Sequence, residues 1–90
     1  MKNKQGIEHW RRRIDGINRE ILRLLQQRVA AAKRIGAIKR KQGLAISDQA
    51  REKAILDQLG RQNRGPLDDR AVREIFKAII RETKRIERGV

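Results

Sequence analysis

Apolar residues recur at alternating steps of three and four through the first half of the chain: Ile7, Trp10, Ile14, Ile17, Ile21, Leu24, Ala31, Ile35 and Ile38. That spacing is the seam of a long amphipathic helix. One position of the series, Arg28, carries a guanidinium where an aliphatic side chain belongs. Arginine cannot be deprotonated in a protein, and an unpaired buried charge is costly. Arg28 therefore needs an anion, either an acidic side chain or a bound ligand.

The pattern predicts an all-α chain of three helices. The first covers about 7–41 and stops at Gly43, a left-handed cap. Gly16 and Gly36 each cost about 1 kcal/mol relative to alanine, yet the apolar period crosses both without changing phase. At 1.5 Å per residue this helix extends roughly 50 Å, beyond the width of a compact domain this small. The second covers about 48–62, with Ser47 or Asp48 as its cap and Ile55, Leu56 and Leu59 on one face. Gly65-Pro66 is a break. The third covers about 68–88, capped by Asp68 or Asp69, with Val72, Ile75, Phe76, Ile79, Ile80 and Ile86 apolar. Arg81, Lys84, Arg85 and Arg88 crowd its last turns, where cations complement the helix dipole. No repeat, low-complexity segment or strand-like alternation interrupts this order.

Ninety residues make one domain, 1–90, and one Trp, one Phe and no Tyr give it little bulk. A second copy of the chain is therefore expected to complete the core. With no cysteine there is neither a disulfide nor a thiolate ligand, and the lone His9 builds no metal site by itself. His9 reads as a surface residue. Lys and Arg number 24 against 11 Asp and Glu, a net charge of +13. That balance attracts anionic partners without naming them. No signal-peptide core follows the basic first residues, and no run reaches membrane-spanning length. A soluble, cytoplasmic protein is expected.

Candidate chemistry lies where polar groups interrupt apolar faces. Arg28 and Lys39 differ by about 20° in azimuth and roughly 16 Å along the axis, so their side chains can converge on one small dianion. Arg11 lies roughly 25 Å before Arg28, too far to share that ligand on the same helix. If Arg11 is functional, it serves a site in a partner subunit. On the second helix Asp48 and Glu52 share the stripe of Ile55 and Leu59, flanked by Arg51. On the third, Thr83 and Glu87 continue the face of Phe76, Ile79 and Ile80. A carboxylate on an apolar face tends to hold its proton and can then donate a hydrogen bond. Each residue also has an ordinary reading: Glu52 as a structural partner for Arg28, Lys39 and Arg51 in solvent, Thr83 on the helix surface, Glu87 at a fraying end. Trp10 reads as core, and Arg11-Arg12-Arg13 mostly as a solvated face.

Taken together, these residues resemble the all-helical class of chorismate mutases. The match rests on Arg11-x-x-Ile14-Asp15-x-Ile17-Asn18-x-x-Ile21-Leu22-x-Leu24-Leu25-x-x-Arg28, then Ile35-Gly36-x-x-Lys39, Asp48-x-x-Arg51-Glu52, and Ile79-Ile80-x-x-Thr83-x-x-x-Glu87. It covers about 7–87. The resemblance implies an intertwined homodimer in which each site takes Arg11 from the neighbouring chain. It implies that Arg28 and Lys39 hold the carboxylates and ether oxygen of chorismate, with Arg51 as a further cation. Asp48 and Glu52 match groups at the hydroxyl and ether region, and Thr83 a hydroxyl residue that contacts a carboxylate. Glu87 departs from the glutamine common in bacterial members. A glutamate donates to the ether oxygen only when protonated, so activity is expected to fall as pH rises and Glu87 ionises.

The implied reaction is the intramolecular [3,3] rearrangement of chorismate to prephenate in aromatic amino-acid biosynthesis. It needs no nucleophile, metal or cofactor, only a restrained substrate and cations at the breaking ether bond. A rival on the same fold is an isochorismate–pyruvate lyase. A basic nucleic-acid-binding module is another alternative, although the cations are spread over all three helices and stacking aromatics are lacking. Non-specific nucleic-acid binding through charge is expected in any case. A purely structural helical dimer is the third.

Overall fold

A computed structural model describes the backbone of residues 2–89 and the side chains of residues 6–89. Its elements are α1 (Lys2–Lys41), α2 (Gln49–Gln62) and α3 (Asp69–Glu87), with no strand among the described residues. The all-α expectation holds. The first helix starts at Lys2, ahead of the first apolar position, Ile7. Once a helix is nucleated each added residue gains a hydrogen bond, so it continues past its apolar stripe. His9, expected near a frayed end, lies inside α1 with its ring edge-on to Trp10 at 5.1 Å between centroids.

The helix ends follow from short local signals. Gly43 adopts a φ of 72°, the left-handed conformation that costs other residues about 1–2 kcal/mol. Leu44 N–H donates to Lys39 O at 2.7 Å and Gly43 N–H to Arg40 O at 3.2 Å, the paired bonds of a Schellman cap. Asp48 caps α2, its carboxylate accepting from Arg51 N–H at 2.9 Å. Asp68 caps α3 in the same way, through Ala71 N–H at 2.8 Å. Between them Asn63 organises the turn. Its amide donates to Leu67 O at 2.9 Å and to Asp69 at 3.2 Å, while its oxygen accepts from Gly65 N–H at 3.1 Å.

The chain divides into two compact units, one ending at Ala31 and the other beginning at Ala32. The first is a stretch of α1 alone, and its seam is uncovered. Ile7, Trp10, Ile14, Ile17, Ile21 and Leu24 are between 47% and 61% exposed. Trp10, expected in a core, is the most exposed of them.

The second unit contains the last turns of α1 with α2 and α3. Ala32, Gly36, Ile80 and Thr83 are its buried residues. Ile55, Leu56, Leu59, Val72, Phe76, Ile79 and Ile86 are half-buried. Arg73 of α3 reaches Asp57 of α2 at 3.3 Å, and Lys53 reaches the other oxygen at 2.7 Å. The hydrogen bond from Lys53, reinforced by Arg73, holds the Asp57 carboxyl below the usual carboxylate range against a smaller opposing effect of burial. Among the described residues no helix is long and apolar enough to cross a membrane.

Candidate active site

Three helix ends come together in the second unit. The C-terminal turns of α1 meet the C-terminal turn of α3 where Arg40 Nη1 donates to the main-chain oxygen of Glu87. Gly36 faces this junction: a Cβ there would stand 3.4 Å from both Cβ and O of Glu87, an ordinary contact distance. The N-terminal turn of α2 meets α3 through Glu52, whose Oε2 lies 2.9 Å from Lys84 Nζ. Lys39, Asp48, Arg51, Glu52, Thr83 and Glu87, scattered over almost fifty positions of sequence, therefore occupy helix turns at this one end.

Their individual settings differ. Lys39 is half-buried, and its ammonium donates to Ile46 O at 3.1 Å, fixing the loop that leads into α2. An ammonium has three donors, so this bond leaves capacity for a ligand. Glu52 is half-buried and ion-paired with Lys84. Thr83, whose ordinary reading placed it on the surface, is the most buried polar residue at 5% exposure. Its hydroxyl donates to Ile79 O at 2.7 Å, one turn earlier. Glu87 is half-buried in the last turn of α3. Carbonyls in that turn lack helical partners, and Arg40 supplies one to that of Glu87.

Asp48 and Arg51 are exposed. Asp48 stands one residue before α2, and its carboxylate acts as the helix cap. Of the two cap candidates in the sequence, Ser47 and Asp48, Asp48 is the one that caps. Arg11 and Arg28 belong to the first unit. Arg11 is exposed and Arg28 half-buried.

Lys84 is the site residue that the sequence reading passed over. By sequence it stands with Arg81, Arg85 and Arg88 as a cation suited to a helix C-terminus. Arg81 and Arg85 pair with Glu82 on the outer face and keep side-chain exposures of 71% and 54%. Lys84, at 24%, turns inward. The signal was available: Lys84 follows Phe76 and Ile80 at four-residue steps, so it continues the buried row.

The sequence profile of the family described as chorismate mutase type II matches residues 10–88. The bifunctional chorismate mutase/prephenate dehydratase of Aquifex aeolicus is 36% identical over 90 residues, covering 96% of this chain and 25% of that protein. A protein of the same description from Neisseria gonorrhoeae is 38% identical over 78 residues, covering 87% of this chain and 21% of the relative. The chain thus spans about a quarter of the length of these bifunctional relatives. The chorismate mutase of Methanocaldococcus jannaschii is 32% identical over 79 residues, covering 87% of this chain and 80% of that one. Among solved structures, the form II structure of a Thermus thermophilus chorismate mutase superposes with a TM-score of 0.90 at 36% identity. That match covers 91% of this chain and 93% of the other.

Proposed function

Because this chain belongs to the chorismate mutase type II family, we propose that it is an isomerase that rearranges chorismate to prephenate, acting in the cytoplasm as a homodimer. The observation that carries this reading is the gathering of Lys39, Glu52, Thr83 and Glu87 at one end of the second unit. The bare seam of the first unit supports the dimer, since six large apolar side chains about half exposed need a partner surface. A second copy has the matching seam.

In this reading the two substrate carboxylates are held by Arg28 and by Arg11 of the other chain, with Arg51 at the rim. Fixing both ends of a flexible dianion selects the compact, chair-like conformer in which the bond-forming carbons approach, and part of the barrier is removed by that restraint. As the ether bond breaks, negative charge grows on its oxygen. Lys39 stands ready to donate to it, a contact stronger in the transition state than in the ground state, and Glu87 stands at the same end. Glu52 and Asp48 receive the substrate hydroxyl region, and Thr83 contacts a carboxylate. All the chemistry is electrostatic and conformational. No group of the protein forms a bond to substrate.

The test is incubation of the purified protein with chorismate and, separately, with isochorismate. Prephenate from the first supports the mutase; salicylate and pyruvate from the second, without prephenate, would establish the lyase instead. Arg28→Ala is expected to lower turnover by several orders of magnitude while the dimer persists, because the change removes a charge together with its desolvation cost.

A further inference from the structure

Lys84 and Glu52 form a half-buried ion pair that bridges α3 and α2 at 2.9 Å. The same ammonium lies 3.5 Å from Ser47 Oγ, in the loop ahead of the Asp48 cap. One side chain thus holds three segments: the loop after α1, the first turn of α2 and the end of α3. Of the neighbouring cations of α3, Arg81 and Arg85 pair with Glu82.

We propose that Lys84 is a positioning residue for Glu52, clamping and neutralising that carboxylate so that the site admits a small dianion. The inference rests on the mutase reading above. A carboxylate at a pocket for a dianion is an electrostatic liability, and at short range in a partly desolvated site the repulsion is strong. Glu52 left unpaired would repel the substrate carboxylates and sample several rotamers. With Lys84 in contact, the pair is neutral overall and Glu52 has one orientation. Lys84 does not touch the substrate in this arrangement; it acts through Glu52.

Kinetics with chorismate on the dimeric protein test this. Lys84→Met keeps most of the apolar stem and removes the charge. KM is expected to rise about tenfold, with a smaller change in kcat, because the uncompensated carboxylate of Glu52 weakens binding of substrate and transition state alike. Lys84→Arg is expected to restore KM. In the Glu52→Gln background, Lys84→Met is expected to add no further rise, since no charge is left to neutralise.

Circular dichroism and sedimentation identify any variant that fails to fold, and Lys84→Gln then replaces Lys84→Met. Parent-like KM in Lys84→Met, or an equal penalty with and without Glu52→Gln, would overturn the proposal and leave Lys84 as a structural bridge. A parent protein that leaves chorismate unchanged would overturn the mutase reading itself, and the role of Lys84 with it. The two failures are therefore distinguishable.

Discussion

Replacing Ile21 by glutamate should separate the proposed dimer into monomers. Ile21 is 47% exposed in the single chain. Full burial of an isoleucine contributes about 1.5–3 kcal/mol, so covering the exposed half contributes about 1 kcal/mol. Six such residues on each of two chains give about 12 kcal/mol from the first unit's seam, against an association cost of about 4–15 kcal/mol. The seam therefore leaves little margin. Glutamate forfeits about 1 kcal/mol and adds roughly 2 kcal/mol for placing a carboxyl in the interface. Because each dimer contains the change twice, the loss is about 6 kcal/mol, or about four orders of magnitude in Kd. Sedimentation equilibrium at micromolar protein reads the outcome directly, with far-ultraviolet circular dichroism to follow the helices. Gln26→Glu, on the polar face of the same helix, is the control and should remain dimeric. An Ile21→Glu protein that sediments as a dimer with the parent Kd would refute the assignment of this seam to the interface.

Other outcomes follow from the second unit. Glu87→Gln, whose amide donates at any pH, is expected to keep or raise chorismate turnover, whereas Glu87→Ala should lower it about tenfold; equal turnover in the two variants would contradict a role for Glu87 at the ether oxygen. The Asp57 carboxyl is held below the usual range by Lys53 and Arg73. Its contribution to stability is complete above the unfolded carboxylate pKa, about 3.9, and is lost as pH falls toward the depressed folded value. Asp57→Asn should therefore shrink the drop in thermal midpoint between about pH 5 and pH 3. At Gly36 an added Cβ meets Glu87 at 3.4 Å. Gly36→Ala is expected to be neutral or to gain up to about 1 kcal/mol of helix propensity, whereas Gly36→Leu should cost about 1–3 kcal/mol by overpacking, both read from urea denaturation.

Much of this architecture is legible in the sequence because helix ends are set by local chemistry. Gly43, Asp48 and Asp68 mark helix ends through bonds that span only a few residues. The apolar period likewise identified which face of α1 needs covering. It could not identify the covering surface, and in the single chain Trp10 and its neighbours remain half exposed or more. The start of α1 was missed for a related reason: Lys2 to Gly6 carry no stripe, and a helix extends without one. Side-chain pairing was least legible. Periodicity states which residues share a face, not which element lies opposite, so the pairing of Glu52 with Lys84 across two helices could not be read from it. Thr83 was ambiguous for the same reason, because threonine suits either a surface or a buried turn when its hydroxyl bonds the preceding carbonyl.

The central claim is that each site is built from two chains, with Arg28 from one and Arg11 from the other. Complementation tests it. Homodimers of Arg11→Ala and of Arg28→Ala are each expected to be inactive. Mixed in equal amounts and allowed to exchange subunits, half of the dimers become heterodimers, and one of the two sites in each of these has both arginines. Roughly a quarter of the parent's chorismate mutase activity should then return. If both arginines served the site of their own chain, every site in the mixture would lack one of them, and no activity would return.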